Sequence, residues 1–302
     1  MSSGKGAGEG SPERVLRLGL PKGSLQETTQ KLMKRAGFDV RYSGRSYFPT
    51  IDDPEIECIL IRPQEMARYV AQGAMDCGIA GLDWVQENKV DVVELADLKA
   101  PWSNYAPIQW VLAVKRGSGF ESVKDLEGKR IAAEAVGLAE RYFERHGVRA
   151  SIEFSWGATE VKPPLLADAI LDITDSGASL RANDLDVIDT VLESTPRFVA
   201  NHASCADPWK RAKMEQLRIL MLGAIAAASQ VSLSMNVPRD SLAKVLELLP
   251  ALNTPTLSPL ADDAWIEVTT VVEERLVRSL LPDLVDAGAR GIIESALSKI
   301  VH

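Results

Sequence analysis

Residues 167–183, ADAILDITDSGASLRAN, hold the densest concentration of groups able to do chemistry. An apolar strand carrying Asp168 and Asp172 runs into Thr174, Asp175, Ser176, Gly177, Ala178 and Ser179, and a Leu-Arg-Ala helical start follows. A turn of small and hydroxyl residues that opens a helix aims backbone N–H groups and hydroxyls at one point, where the helix dipole favours an anion. Carboxylates beside such a cradle would repel a bare phosphate. They make sense as partners of ribose hydroxyls, or of a Mg2+ bridging the ligand's other phosphates. The local pattern points to a phosphorylated sugar, with an ordinary N-cap at Asp175 or Ser176 as the competing reading.

A second cluster lies at the exit of the first apolar run, where Lys22, Gly23 and Ser24 occupy a strand-to-helix turn suited to an anion. Ser24 as a plain N-cap is the simpler alternative. Arg45 in SGRSYFP and Arg62 after IECILI add cations at strand ends that would face the same crevice, or serve as surface ion-pair partners. Gly78, Gly81 and Asp83 in CGIAGLDW put glycine where a third strand meets its helix, allowing close ligand approach or simple turn chemistry. No GxSxG elbow or HExxH is present, and no serine or cysteine has an evident partner that would make it a nucleophile. His146, His202 and His302 do not cluster. Cys58, Cys77 and Cys205 are widely spaced and read as buried, reduced thiols of a cytoplasmic protein.

Short apolar runs alternate with helical periodicity from Val15 onward, the signature of an α/β fold. Strands are expected at 15–20, 56–61, 75–81, 109–116, 150–156, 168–174, 187–194 and 197–201, with helices near 25–36, 64–72, 82–87 and 138–146. The Pro101, Trp102, Asn104, Pro107 interruption marks a crossing into a second lobe, and the strands after 187 carry the chain back. Lobe I is thus expected at 14–105 and 187–228, and lobe II at 106–186, with a ligand cleft between them. A long helix is expected at 207–228, its Lys210, Arg211, Lys213, Glu215 and Arg218 forming a solvated face. Beyond it, strands at 230–237, 255–260, 264–272 and 289–295 and helices at 239–249 and 274–287 give the order βαββαβ, a ferredoxin-like arrangement over 229–302. Residues 1–13, MSSGKGAGEGSPE, read as a disordered leader with no secretory h-region.

Of the 302 residues, 34 are Lys or Arg and 42 are Asp or Glu, a formal charge of −8. That balance argues against a general nucleic-acid binder, and no apolar run approaches the roughly 20 residues of a membrane span. An anionic ligand must be held by a local pocket.

Taken together, LRLGLPKGSL, DCGIAGLDW, GKRIAAEAVGL, SWGATEVKPPLLADAILDITDSGASLRAN and the βαββαβ tail resemble the ATP phosphoribosyltransferase family in its long form. The resemblance runs from about Val15 to the C-terminus and is most specific over 160–180. It departs in two details: the segment Pro163, Pro164, Leu165, Leu166 is one residue shorter than usual, and Ser179 stands where threonine is commoner. The resemblance implies a catalytic region of two lobes akin to type II periplasmic binding proteins, then a ferredoxin-like regulatory domain that binds histidine as feedback inhibitor. It implies transfer of the 5-phosphoribosyl group of phosphoribosyl pyrophosphate to N1 of ATP, the first step of histidine biosynthesis. Asp172, Thr174, Asp175, Ser176, Gly177, Ala178 and Ser179 would hold phosphoribosyl pyrophosphate. Lys22, Gly23, Ser24, Arg45, Arg62 and Asp83 would line the ATP and pyrophosphate region, and Asp172 and Glu160 are the catalytic candidates. Mg2+ would be bridged by substrate, and dimers or hexamers are implied. A solute-binding protein of the same two-lobed fold is one rival reading, opposed by the missing signal peptide and the extra C-terminal domain; a catalytically silent regulatory homologue is the other, opposed by the retention of Asp172, Ser176, Gly177 and Lys22.

Overall fold

The computed structural model describes residues 14–44, 46–100, 105–175, 177–250 and 254–301. The expected leader, Arg45, Ser176 and the interruption at 101–104 lie outside the described residues. The chain divides into two units, one comprising residues up to Lys31 with Phe38–Arg218, the other Leu32–Gly37 with the residues from Ile219 onward.

The first unit holds two five-stranded sheets. The first is built from β1 (Leu16–Pro21), β2 (Ile56–Ile61), β3 (Cys77–Gly81), β4 (Val93–Asp97) and β10 (Pro196–Ala200), in the order β2-β1-β3-β10-β4. The second contains β5 (Ile108–Lys115), β6 (Arg130–Ala133), β7 (Ser151–Phe154), β8 (Ala169–Thr174) and β9 (Leu185–Ser194), in the order β7-β6-β8-β5-β9. Each sheet has three parallel strands followed by an antiparallel one taken out of sequence, β10 in the first and β5 in the second. The strand over 187–194, expected in lobe I, pairs along β5 in the second sheet. The chain re-enters the first sheet only at Pro196, so the return crossing sits at Thr195.

Why these residues form strands is plain in β1, where Leu16, Leu18 and Leu20 alternate along the strand and are buried. Helix α1 (Gln26–Ala36) follows the Lys22 turn, and α2 (Pro63–Ala71) opens on Pro63, a residue preorganised for a helix start. Gly19 and Gly78 lie side by side in register under Met66, and a Cβ at Gly19 would come 2.4 Å from its sulfur. Glycine at these two places is what lets α2 lie close on the sheet. Helix α3 (Leu82–Glu87) follows β3, α4 (Val136–Arg145) follows β6, and α5 (Ala178–Ala182) follows β8.

Helix α6 (His202–Ala206) and strand β4 are short and carry no periodic apolar signal, and neither is evident from sequence. Helix α7 (Pro208–Ala227) buries Met214, Leu217, Met221 and Ala224 at three- and four-residue spacing. Its basic residues are not simply solvated: Lys213 bridges Asp53 and Glu55 at 2.6 and 2.7 Å, and Lys210 meets the buried Asp76 at 2.6 Å. Cys58 and Cys77 are buried, whereas Cys205 is only partly so.

The second unit contains β11 (Gln230–Pro238), α8 (Leu242–Leu248), β12 (Thr256–Pro259), β13 (Trp265–Glu273), α9 (Glu274–Asp286) and β14 (Arg290–Ala296), in one antiparallel sheet ordered β12-β13-β11-β14. Its core alternates along β11 through Val231, Leu233, Met235 and Val237, joined by Val277, Leu280 and Leu284 of α9.

Candidate active site

The β8–α5 turn is held open by Gly177, at φ +70° and ψ 8°, a left-handed conformation that strains any other residue. The Gly177 amide donates to Thr174 Oγ1 at 2.9 Å, which tightens the turn. Asp175, Ala178 and Ser179 are exposed, and Thr174 is half-buried. The Ser179 hydroxyl donates to Glu160 Oε1 at 2.9 Å, so Glu160, in the single 3-10 turn Thr159–Val161, touches the loop directly. That 3-10 turn rests on a buried hydroxyl pair, Ser155 Oγ and Thr159 Oγ1 at 2.8 Å, to which Lys162 Nζ adds a contact of 2.5 Å with Ser155. The Pro163–Pro164 bond that follows is cis.

Asp172, the carboxylate of β8, is half-buried and accepts the Ile173 amide at 2.8 Å. Burial pushes its pKa up, and the carboxylates of Glu160 and Glu134 push it further while the Ile173 amide and Lys162 oppose them. A carboxyl set among other carboxylates can be relieved by hydroxyl donors or by a hard cation carried on a ligand, the kind of partner a ribose bearing pyrophosphate supplies.

The expected site residues do not all share one hollow. Ser24, Asp83 and Asp175 line a cavity of about 390 Å³ with Gln64, Trp84, Glu134, Ile173 and Thr195, contributed by both sheets of the unit. Lys22 and Arg62 line a different one, about 500 Å³, with Tyr47, Glu65 and Tyr69. There the Lys22 ammonium sits 3.8 Å from the centre of the Tyr47 ring, and its hydrogen bond and charge lower the hydroxyl's pKa. Gly23, at φ +103°, turns the chain between the two hollows with open space beside its Cα.

Asp83, expected as an ATP or pyrophosphate contact, lines the cavity and is also held by partners of its own. It is 2% exposed, Oδ1 accepts Ser194 Oγ at 2.9 Å and the Trp84 amide at 3.0 Å, and Oδ2 accepts the Trp110 indole N–H at 3.0 Å. Most of its acceptor capacity is therefore spent inside the protein. It ties α3 to β5 and β9, where Trp84 and Trp110 also meet edge to face at 6.0 Å. Burial raises its pKa although these donors resist the shift.

Sequence reasoning passed over Glu134 and Gln64, whose side chains meet at 3.2 Å in the cavity wall. Glu134 directly follows the parallel strand β6 and Gln64 lies just past β2. Ligands of open α/β sheets gather at such carboxyl ends, and that rule would have found both. Thiol chemistry has no support: burial pushes the Cys58 thiol up to about 12 and the Cys77 thiol well above its ordinary value. Among the described residues, no three His, Cys, Asp or Glu side chains converge as a preformed metal cage.

Comparison with known proteins places this geometry. The family model for ATP phosphoribosyltransferase matches residues 62–222, and that for the HisG C-terminal domain matches 227–299. An ATP phosphoribosyltransferase of Chlorobaculum parvum is 54% identical over 287 residues, covering 95% of this chain and 98% of that one. The one from Solibacter usitatus is 54% identical over the same length, covering 95% and 99%. Among solved structures, a chain of the ATP phosphoribosyl transferase (HisG:HisZ) complex from Thermotoga maritima matches with a TM-score of 0.59 at 26% identity, over 68% of this chain and 98% of that one.

Proposed function

The chain belongs to the ATP phosphoribosyltransferase family, and from that premise we propose how its residues carry out the reaction. It transfers the 5-phosphoribosyl group of phosphoribosyl pyrophosphate to N1 of ATP, giving phosphoribosyl-ATP and pyrophosphate at the start of histidine biosynthesis. The observation that carries the assignment of roles is the β8–α5 turn, a left-handed Gly177 opening a helix beside a half-buried carboxylate.

In this reading the amides of Gly177, Ala178 and Ser179, with the Ser176 hydroxyl, hold the 5-phosphate. Asp172 and Asp175 accept the ribose hydroxyls. The C1–O bond to pyrophosphate breaks as the adenine N1 lone pair forms the new C–N bond. Positive charge grows on the ribose, and the Asp172 carboxylate is assigned to stabilise it. No protein nucleophile is required, and the work is alignment of two polyanions plus electrostatics. Glu160 holds the Ser179 hydroxyl until the phosphate competes for it. Lys22 and Arg62, with the ring of Tyr47, serve the ATP and pyrophosphate groups from the neighbouring hollow, Arg45 is assigned to the same groups, and Ser24 closes the cleft from the first sheet. Asp83 is a brace that sets the sheets. A Mg2+ carried by the substrate would face the carboxylates of Asp172 and Asp175 and would supply charge neutralisation on the leaving group.

The two five-stranded sheets are read as lobes akin to type II periplasmic binding proteins, with the return crossing at Thr195. The second unit is read as a ferredoxin-like domain binding histidine as feedback inhibitor; its βαββαβ order and β12-β13-β11-β14 sheet support that reading. Assembly as dimers or hexamers and a cytoplasmic location complete the proposal. No described helix is long and apolar enough to cross a membrane.

The test is purified protein with ATP, phosphoribosyl pyrophosphate, Mg2+ and pyrophosphatase, followed by ultraviolet absorbance. Product formation is expected, inhibited by histidine in the full chain and insensitive to it after truncation at residue 228. Failure to form product, with tight binding of one small solute instead, would sink the assignment.

A further inference from the structure

Helix α3 follows β3 of the first sheet and α4 follows β6 of the second, yet one caps the other. Glu87, the last residue of α3, accepts the Gly137 amide on Oε1 at 3.0 Å and the Leu138 amide on Oε2 at 2.7 Å. These are first-turn amides of α4, donors without intrahelical partners at the positive end of the helix dipole. The residue at the N-cap of α4 itself, Ala135, offers no side-chain cap. Two further contacts run the same way: Arg141 Nη2 donates to the Gln86 carbonyl at 2.6 Å, and Gln64 Nε2 donates to Glu134 Oε1 at 3.2 Å.

The approach is close enough to need glycine. A Cβ on Gly137 would stand 3.1 Å from the Glu87 carbonyl oxygen and 3.3 Å from its Oε2. The contact also carries an opposing cost, because Arg141 Nη1 is buried with no hydrogen-bond partner among the described residues. Opening would hydrate that nitrogen. A charge-assisted cap set against a buried orphan donor makes a clasp that holds without locking.

Gln64 and Glu134 both line the 390 Å³ cavity, and Glu134 lies three residues before Gly137, so the clasp adjoins the cleft wall. Substrates lying between the sheets react only if both walls stand at the right separation; a displacement of about 1 Å can cost ~10²-fold.

We propose that Glu87 is a positioning residue for phosphoribosyl transfer, its carboxylate clasping the first turn of α4 so that the two walls of the cleft stand ready for both substrates. The choice of substrates rests on the functional assignment above; the clasp itself does not. Loss of the clasp lowers the fraction of enzyme competent to bind, which raises the apparent dissociation constant of each ligand by the same factor.

The test uses the full chain with Glu87→Ala, Glu87→Gln and Gly137→Ala. Glu87→Ala should raise KM for ATP and for phosphoribosyl pyrophosphate together by about tenfold, with kcat within about twofold of wild type. Glu87→Gln keeps one acceptor oxygen and should recover part of the loss. Gly137→Ala replaces glycine by a better helix former, so the melting temperature should hold or rise while both KM values climb. Spin labels placed by Arg68→Cys and Glu144→Cys in a Cys205→Ser background should report a longer and broader distance in the Glu87→Ala protein without ligand. Unchanged KM values with an unchanged label distance would overturn the proposal, as would a Gly137→Ala protein indistinguishable from wild type. The label measurement needs no turnover, so a longer distance in a protein that makes no phosphoribosyl-ATP would remove the reaction and leave the clasp standing.

Discussion

Gly177→Val separates an anion cradle from an ordinary helix cap. The native φ of +70° and ψ of 8° lie where a residue with a Cβ pays about 1–2 kcal/mol, and a β-branched side chain sits at the upper end. The added Cβ would stand 2.8 Å from Arg181 Nη1, the tip of a flexible side chain able to swing away, and 4.0 Å from Thr174 Oγ1. The total cost to folding is therefore about 2–3 kcal/mol, less than the 5–15 kcal/mol that holds a typical domain together. Binding should suffer more. A valine over the turn denies the phosphate the amides of residues 177–179, and each lost charge-assisted hydrogen bond removes about 1.5–3 kcal/mol. Two such bonds correspond to roughly 10²–10⁴-fold in affinity. Gly177→Ala carries most of the strain and little of the bulk, so it should fall between the two. Calorimetric titration with phosphoribosyl pyrophosphate, beside a thermal melt, reads both effects. A Gly177→Val protein with a lowered melting temperature and wild-type affinity would refute the cradle and leave only the cap.

Asp172 gives a pH signature. Its folded-state pKa is raised, first by burial and then by Glu160 and Glu134, so the ionised form appears only above the ordinary aspartate range of about 4. The acid limb of kcat/KM should lie above that range, and Glu160→Gln, by removing one repelling charge, should move it to lower pH; an unmoved limb would detach Asp172 from the reaction. A raised carboxyl contributes stability below its unfolded pKa and loses it as pH rises through the folded value, so Asp172→Asn should melt higher at pH 7 while turning over at least about tenfold more slowly. Asp83→Ala strands the Trp110 indole N–H and the Ser194 hydroxyl in a buried site and should cost about 2–4 kcal/mol in urea unfolding, with the KM for ATP nearly unchanged in the folded enzyme. Lost ATP affinity at full stability would return Asp83 to the substrate.

Much of this was legible because strands and turns announce themselves locally. IECILI is a strand from Ile56 to Ile61 as its apolar run indicates, and the glycine in TDSG falls in the turn expected between a strand and the start of a helix. What escaped depended on distant partners. Asp83 lies in the cleft wall as its segment suggests, but the Ser194 and Trp110 donors that fill its oxygens are remote in sequence. Strand β9 reads equally well in either sheet, because its edge placement leaves only a mixed burial pattern and the register with β5 decides its place. Lys210 and Lys213 carry the spacing of a solvated helix face, yet Asp76, Asp53 and Glu55 claim them in the folded chain.

The charges around the cleft set a condition on the ligand. Among the described residues the 390 Å³ cavity is lined by Asp83, Glu134 and Asp175 and by no lysine or arginine, while Lys22 and Arg62 face the neighbouring hollow. Asp172 and Glu160 stand nearby, and Lys162 is set against Asp172. At an effective dielectric of 20, each carboxylate about 4 Å from a phosphate charge repels it by ~4 kcal/mol, more than one charge-assisted hydrogen bond returns. A pyrophosphate can enter such a wall only with its charge already offset, so the free anion should bind far more weakly than its Mg2+ complex. Glu134→Gln and Glu160→Gln should each narrow that gap by easing the entry of the free anion, read by titrating phosphoribosyl pyrophosphate with and without Mg2+. Equal affinity for the two forms in the wild-type protein would mean that Lys22 and Arg62 of the neighbouring hollow offset the pyrophosphate without the metal, and that the carboxylates face only the sugar.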